Sequence, residues 1–336
     1  MTTSATVTPE RIMQFAWGYI PTFVLEAAIQ HRVFDVLDAG PKTLKDTATA
    51  TGASERGLRI VMNALVGLNF LAKSDGRYSL TPESSAFLVS TKPGFQGGIL
   101  KHTSQQLVPK WLHLNEIVSA GKPPASVSQE GAGSEFFQNF VIDIFPMSYP
   151  AAQVLAKHLA LDKTGSPVRV LDPAAGSGVW GIALAQSSER VKVTAVDWVD
   201  VLPATRKTVA RFGLTERFSF VAGDLSSADF GSGHNVATLG HILHSEGEAK
   251  SKNLLRKVFE ALAPGGTIAI AEFLVNEDRT GPVGSLFFAA NMLVNTDEGD
   301  TFSFEEIREW LTEAGFIDAR LLDAPGPSPL VLATKP

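Results

Sequence analysis

A strand, a small-residue loop and a helix follow one another at residues 167–181, and this segment constrains the fold of the 336-residue chain more than any other. An apolar, β-branched run at 168–171 leads to Asp172 and then to a loop that contains Gly176 and Gly178. Glycine lets a ligand approach the backbone closely, and a helix N-terminus presents unpaired N–H groups. We therefore predict the cofactor loop of an open α/β sheet.

Two cofactors fit this loop. The spacing Gly176-x-Gly178-x-x-Gly181 matches the dinucleotide fingerprint, which is weak evidence when it stands alone. Methyltransferases that use S-adenosylmethionine place an acid at the end of the first strand, directly before the small-residue loop, and Asp172 suits that arrangement better. An ordinary tight turn between a strand and a helix is the third alternative.

Composition restricts the class of protein. Hydrophobic residues make up 44% and charged residues 19% of the chain, which is typical of a globular protein. The net charge of −6 gives no indication of a nucleic-acid or membrane surface, and the lack of cysteine excludes disulfides and thiolate zinc sites. We see no signal peptide, and no apolar run approaches the roughly 20 residues of a membrane helix. A cytoplasmic protein without a nucleic-acid or membrane partner is expected.

The first segment, residues 9–38, reads as helical and is divided near Pro21. It carries more apolar positions than an amphipathic helix needs. Contact with a second subunit and burial in the core of the same chain both account for the excess.

A winged-helix pattern follows. Two helices are predicted at 43–65, and two short strands at 71–80 are joined by an Asp-Gly turn. Such a module suggests DNA binding, but Arg56 and Arg59 are not reinforced by a basic cluster. Dimerisation or a substrate lid is the favoured role.

Residues 100–160 read as linking helices. Aromatic and methionine residues cluster within fourteen positions of this region: Phe136, Phe137, Phe140, Phe145, Met147 and Tyr149. Such a cluster is often plain core, and it equally suits the wall of an apolar pocket for a flat substrate.

From residue 168 onward strands and helices alternate, which is typical of a parallel sheet. Strands are predicted near 168–172, 191–196, 217–222, 235–240, 267–273, 317–323 and 329–334. Helices are predicted near 178–187, 201–212, 249–262, 283–294 and 303–314. Pro325-Gly326-Pro327 separates the last two strands, which suggests an antiparallel hairpin.

Two acids end strands at the edge where such sheets bind ligands. Asp197 ends the second strand, where a carboxylate can accept both ribose hydroxyls of either cofactor class. Asp224 follows Gly223 at the end of the third strand and can face an adenine amino group, which a dinucleotide fold does not ordinarily require. A turn aspartate or helix N-cap is the alternative for Asp224.

His244 follows the fourth strand and is a candidate general base. An unperturbed imidazole titrates near pH 6.5, whereas a phenol has a pKa of about 10 and needs a base before it attacks a methyl sulfonium well. Glu272 ends the fifth strand and could hold the other ring nitrogen. Ser245 and Glu248 have capping-box spacing, so a helix is expected to start just after Ser245. Because Glu248 is expected to act in this cap, no metal site is expected here.

At these residues the sequence resembles the S-adenosylmethionine-dependent small-molecule O-methyltransferases, the group that contains plant phenolic, acetylserotonin and bacterial polyketide and phenazine enzymes. The resemblance covers nearly the whole chain. It implies an α/β fold: a Rossmann-like class I methyltransferase sheet, mostly parallel with an antiparallel last strand, plus an N-terminal, mostly helical winged-helix dimerisation domain. The implied domains are 1–100 for dimerisation, 101–160 for linking helices that contribute to the substrate pocket, and 161–336 for S-adenosylmethionine binding and catalysis.

The resemblance also assigns roles residue by residue. His244 matches the catalytic base, and Glu272 matches the acid that ends the fifth strand. The expected cofactor-binding residues are Asp172, Ala174, Gly176, Gly178, Asp197, Asp224, Leu225 and Gly240. Our candidates for the substrate wall are Phe140, Met147, Phe288, Asn291 and Met292.

Three segments depart from the family pattern. Thr301 stands where a second acid is usual, Ser245-Glu246 replaces an Asp-Trp pair, and Gly240 replaces a lysine of the plant enzymes. We expect a homodimer that methylates a hydroxyl of a small aromatic molecule. Methyl transfer to carbon or nitrogen on the same fold stays open, as do an NAD-dependent dehydrogenase and a DNA-binding regulator that senses a metabolite.

Overall fold

The computed structural model describes residues 7–336, which form two compact units, residues 7–108 and Pro109–Pro336. The elements of the first unit are α1 Glu10–Ala16, α2 Ile20–Gln30, α3 Val33–Asp38, β1 Lys42–Thr43, α4 Leu44–Thr51, α5 Glu55–Gly67, β2 Leu71–Ser74, β3 Arg77–Leu80, α6 Pro82–Phe87 and α7 Gly97–His102.

The first unit contains the predicted pair of helices and the predicted hairpin. Thr43 and Ser54 cap α4 and α5 by accepting backbone N–H groups, and Gly52 ends α4 in the left-handed conformation. The three strands pair antiparallel in the order β1-β3-β2. Their buried side chains, among them Tyr78, pack on the helices in one apolar core.

The N-terminal helices are divided as expected, with Pro21 in the first turn of α2. None of the residues of α1 is buried, and Ile12, Phe15 and Trp17 are each more than half exposed. Glu10–Gln30 is also long and apolar enough, by length and composition alone, to cross a membrane. The sequence had led us to expect no such segment.

The second unit begins with linking helices and continues as an α/β domain. Its elements, with α8 starting at the junction, are α8 Val108–Trp111, α9 Leu114–Ala120, α10 Glu130–Asp143, α11 Phe145–Leu159, β4 Val168–Pro173, α12 Val179–Ser187, β5 Val191–Asp197, α13 Leu202–Arg211, β6 Phe218–Ala222, β7 His234–Gly240, α14 Leu243–Ala261, β8 Leu262–Ala271, α15 Val283–Asn295, α16 Phe304–Ala314, β9 Ile317–Leu322 and β10 Leu330–Thr334.

Seven strands form one sheet in the order β6-β5-β4-β7-β8-β10-β9. The first five run parallel, while β10 pairs antiparallel with both β8 and β9, so the predicted final hairpin is confirmed. Apolar side chains pack on both faces of the sheet in two separate clusters. The strand order reverses between β4 and β7, and ligands bind at the carboxyl edge beside such a reversal.

One helix start differs from the prediction. Ser245 caps nothing; its Oγ donates to the Ile242 carbonyl at 2.9 Å. The first turn of α14 is instead broken at Gly247, which has φ 74°. A side chain there would meet the Glu298 carbonyl oxygen at 2.6 Å, so tertiary packing decides this helix start rather than local capping.

Candidate active site

The loop after β4 is held in left-handed backbone conformations at three positions. Ala174, Gly176 and Gly178 have φ of 52°, 52° and 76°. Thr205 Oγ1 donates to the Gly176 carbonyl at 2.6 Å, which ties the loop to α13. Ala174 adopts a conformation that normally costs a non-glycine residue about 1 kcal/mol, so the surrounding contacts hold the loop in a fixed shape.

Asp172 lies beneath this loop and is buried, with 1% of its surface exposed. Its carboxyl group accepts from Thr238 Oγ1 at 2.5 Å and from the Gly181 N–H at 3.2 Å. Burial raises its pKa to about 7, and the two hydrogen bonds oppose that shift only in part. Asp172 therefore braces β4, β7 and α12 against one another beneath the predicted cofactor loop.

Asp197 joins the end of β5 to the same loop. One carboxylate oxygen accepts from the Gly176 N–H at 2.7 Å and the other from the Trp198 N–H at 2.8 Å. Burial raises the pKa of Asp197 to about 6 despite these two bonds. Because a carboxylate can accept about four hydrogen bonds, half of its capacity is left for two hydroxyl donors. These free acceptor sites fit the two hydroxyl groups of a ribose.

Asp224 lies at the neighbouring strand end. Its Oδ1 closes a turn by accepting from Ser226, and its Oδ2 lies 3.4 Å from Trp198 Nε1. The hydrogen bond from the Ser226 hydroxyl is the main reason that the pKa of Asp224 is lowered, although burial raises it. The next residue, Leu225, packs against the sheet core and is partly buried. Both the turn role and a ligand role of Asp224 are therefore compatible with the geometry.

Trp198 is a residue that the sequence reasoning missed. Its indole bridges the ends of β5 and β6 through Asp224, and its ring lies 6.3 Å from that of Phe137. A side chain at Gly133 would meet the indole at 2.4 Å, so α10 packs directly on it. An aromatic residue directly after the acid predicted to bind ribose is the signal that could have identified it. An aromatic surface here suits a flat heterocycle.

His244 and Glu272 form a buried pair at the carboxyl ends of β7 and β8. His244 Nδ1 lies 2.7 Å from Glu272 Oε2, and the His244 backbone N–H donates to Oε1 at 3.3 Å. Burial raises the pKa of Glu272. The charge of His244 and the hydrogen bonds that it donates lower this pKa by more, so the pKa of Glu272 lies below its ordinary value. In the neutral imidazole a carboxylate at Nδ1 favours the proton on that nitrogen, which leaves the lone pair on Nε2.

Aromatic rings surround the imidazole of His244. Phe288 meets it edge-on with ring centres 4.8 Å apart, and Phe273 stacks on Phe288 at 3.9 Å. His241 lies 6.3 Å away and contacts Ser328 through Nε2 at 2.9 Å. Burial lowers the pKa of His241 to about 4, so the ring is neutral at physiological pH. His241 is therefore a weak base, and its Nε2 already contacts Ser328.

Gly240 ends β7 against a tryptophan. A Cβ at this position would lie 1.9 Å from Trp180 Nε1, which leaves no room for the lysine of plant enzymes. Trp180 also faces His241, with ring centres 6.3 Å apart. The absence of a side chain at Gly240 is therefore required by the packing of α12 on the sheet.

The aromatic cluster predicted at 136–149 divides into two groups. Phe145 stacks on both Tyr149 and Phe212, and these rings belong to the sheet core. Phe136 contacts the rings of Phe137 and Phe140 on α10. The core reading therefore applies to Phe145 and Tyr149, and the pocket-wall reading of Phe136, Phe137 and Phe140 stays a prediction.

The remaining candidates for the substrate wall lie on α11 and α15. Met147 is partly buried at the start of α11, and Met292 is 6% exposed. Asn291 accepts from Trp111 Nε1 at 3.2 Å. Phe288 and Asn291, three residues apart, face neighbouring directions on α15. Their assignment to the substrate wall stays a prediction.

Thr301, at the position of the family's second acid, is buried, and its hydroxyl has no hydrogen-bond partner in the described structure. The loop before it packs against the His244 backbone, because the Asp300 N–H donates to the His244 carbonyl at 2.9 Å. Glu272 is therefore the acid seen to orient His244. Among residues 7–336 there is no group of three acids or histidines placed to hold a metal ion.

Comparison with known proteins gives two family matches. A profile described as an O-methyltransferase dimerisation domain matches residues 13–90, and one described as an O-methyltransferase domain matches residues 152–317. The chain is 30% identical to a 3-hydroxy-5-methyl-1-naphthoate 3-O-methyltransferase of Streptomyces sahachiroi, over 97% of this chain and 95% of that protein. It is 27% identical to the tetracenomycin polyketide synthesis 8-O-methyl transferase TcmO of Streptomyces glaucescens, over 98% and 97%.

Solved structures share the fold along the whole chain. A crystal structure of a Nostoc punctiforme protein superposes with a TM-score of 0.90 at 27% identity, and covers 98% of this chain and 100% of that one. Human N-acetylserotonin methyltransferase in complex with SAM gives 0.84 at 24% identity, with 100% and 99% covered.

Proposed function

This chain belongs to the O-methyltransferase family, and from that premise we propose that it methylates a hydroxyl of a small aromatic molecule with S-adenosylmethionine as cofactor and His244 as general base. The observation that carries the proposal is the buried His244–Glu272 pair, 2.7 Å between Nδ1 and Oε2, at the carboxyl edge of the sheet. A lone imidazole in a loop would not need a buried carboxylate behind it.

The residues for the cofactor lie on three neighbouring strand ends. Asp197 would hold the ribose with its two remaining acceptor sites, and Asp224 and Trp198 would hold the adenine. Gly176 and Gly178 leave the loop backbone free of side chains beside that group. When bound, S-adenosylmethionine supplies an electrophilic methyl group on a sulfonium.

Side chains of the protein carry out the proton transfer. His244 Nε2 accepts the proton of the acceptor hydroxyl, and Glu272 keeps the other ring nitrogen protonated and stabilises the imidazolium that results. Phe288 and Phe273 exclude water from one side of the imidazole and offer an aromatic face to a flat acceptor. The protein thus contributes position and a base, while the reactive group comes with the cofactor.

The active form is a cytoplasmic homodimer assembled through the N-terminal unit. The exposed apolar side chains of α1 support this, since a single subunit leaves them in water. The match to a dimerisation domain over residues 13–90 begins within α1 and includes all of α2. The apolar length of Glu10–Gln30 is explained by the same interface.

Calorimetry with three ligands separates this function from its rivals. The purified protein is titrated with S-adenosylhomocysteine, with NADH and with a duplex DNA. We expect saturable binding of S-adenosylhomocysteine alone. Binding of NADH in its place would indicate a dehydrogenase, and salt-sensitive retention of DNA would indicate a regulator.

A further inference from the structure

Lys110, in the second unit, is a partly buried cation that has no acidic partner among the residues that the structure describes. Its Nζ donates to Asn295 Oδ1 at 3.0 Å and lies 5.1 Å from the centre of the Phe136 ring. Burial lowers its pKa, and no acid within residues 7–336 counteracts that effect. An ammonium is seldom withdrawn from water without a negative partner. Its remaining N–H donors are thus available to a ligand.

One face of α15 connects this lysine to the candidate base. Phe288, Asn291 and Asn295 are spaced by three and four residues and share that face. Phe288 contacts the imidazole of His244, and Asn295 accepts from Lys110. Seven residues of helix span about 10 Å, which sets the separation of the two ends.

The groups along this face suit an elongated aromatic anion. The rings of Phe288 and Phe136 provide apolar surface near the two ends, and Lys110 provides the positive charge. Asn295 already uses its amide N–H groups on the Asn291 oxygens, at 2.8 and 3.1 Å, so it fixes the lysine and does not compete for the ligand.

We propose that Lys110 binds a carboxylate of the acceptor, at the end of the molecule remote from the hydroxyl that is methylated. The acceptor class is then a hydroxylated aromatic carboxylic acid. This inference rests on the proposed function for the identity of the hydroxyl end. Lys110 determines specificity and takes no part in proton transfer.

Binding to the enzyme loaded with S-adenosylhomocysteine tests the proposal without turnover. The ligands are para-hydroxycinnamic acid, its neutral amide, and ortho-hydroxybenzoic acid, whose two groups are adjacent. We expect wild type to prefer the para acid over the amide by about 10- to 100-fold, the range for a hydrogen bond between charged groups. The ortho acid should bind no more tightly than the neutral para amide, because its carboxylate cannot reach Lys110.

Variants assign the preference to Lys110. Lys110→Met should bind the acid and the amide equally, and Lys110→Arg should retain part of the preference. Lys157→Met, which alters an exposed lysine of the same unit, should behave like wild type. Lys110→Gln gives the same comparison if the Met variant does not fold.

Three results would overturn the proposal: equal binding of acid and amide by wild type, equal weakening of both in Lys110→Met, or weaker binding of S-adenosylhomocysteine in that variant. The last would assign Lys110 to the cofactor's own carboxylate. Absence of methyl transfer to any acceptor would instead count against the proposed function, and it would leave the binding comparison intact.

Discussion

The carboxylate of Glu272 holds His244 at two points, the ring Nδ1 at 2.7 Å and the backbone N–H at 3.3 Å. One acid thus fixes both the orientation of the imidazole and the start of the segment that carries it. Thr301 occupies the position of the family's second acid with an unpartnered hydroxyl, so the orientation of the ring depends on Glu272.

Replacing Glu272 by Gln tests this dependence. The amide keeps the size of the side chain but removes the charge that favours a proton on Nδ1 and stabilises the imidazolium. We expect kcat to fall by about 100-fold, with the affinity for S-adenosylhomocysteine unchanged. Glu189→Gln, at an exposed position after α12, is the matched control and should retain wild-type turnover. A Glu272→Gln enzyme with normal kcat would show that His244 needs no acid behind it.

Cofactor affinity should depend on the protonation of Asp197. Its pKa is raised to about 6 before binding, and ribose hydroxyls donate to the ionised form. Affinity is therefore full above pH 7 and falls as pH drops through 6, by at most ~10-fold per pH unit. Calorimetric titration with S-adenosylhomocysteine between pH 5 and 8 measures this. Asp197→Asn should bind weakly with a flat profile, and a wild-type profile that is flat over this range would rule out the ribose role.

The protonation of Asp172 should make the free energy of unfolding fall as pH rises, whereas cofactor affinity should increase with pH. Its pKa is raised from 3.8 to about 7 in the folded state, so the folded protein retains a proton that the unfolded chain releases. The stabilising contribution is complete below pH 3.8 and is lost as pH rises through 7, with a slope of at most ~1.4 kcal/mol per pH unit. Urea unfolding of wild type and Asp172→Asn at pH 5 to 8 compares the slopes. The variant should be flatter, and identical slopes would contradict a protonated Asp172.

Gly240 and Trp180 should be coupled. A methyl group at Gly240 would lie 1.9 Å from the indole nitrogen, so Gly240→Ala should displace the indole and cost about 1–3 kcal/mol of unfolding free energy. Adding Trp180→Leu should recover part of that loss relative to the sum of the single changes. Chemical unfolding of the four proteins in a double-mutant cycle gives the coupling, and strict additivity would show that the two sites are independent.

Most strands and helices of the α/β sheet were predictable, because a buried parallel strand leaves a continuous apolar run in the sequence. The same apolar runs predicted where each strand ends. Those ends allowed four residues to be assigned to one edge of the sheet: Asp197, Asp224, His244 and Glu272. The start of α14 was not predictable, since Gly247, with φ 74°, packs against Glu298, which is distant in the sequence.

Side chains that meet from distant segments were also missed. Lys110 and Asn295 are 185 residues apart, and Trp198 and Asp224 are 26 apart, so neither pair leaves a local pattern. The exposed apolar surface of α1 was predicted only as one of two readings, because periodicity alone does not distinguish a core from an interface.

We propose that His244 removes a proton from the acceptor and does not hold the cofactor. The most direct test of this proposal compares turnover with S-adenosylhomocysteine affinity in His244→Ala. We predict a loss of roughly 100- to 10,000-fold in kcat, with the dissociation constant of S-adenosylhomocysteine changed by less than about threefold. A parallel loss of turnover and cofactor affinity, or full turnover without the imidazole, would contradict the account.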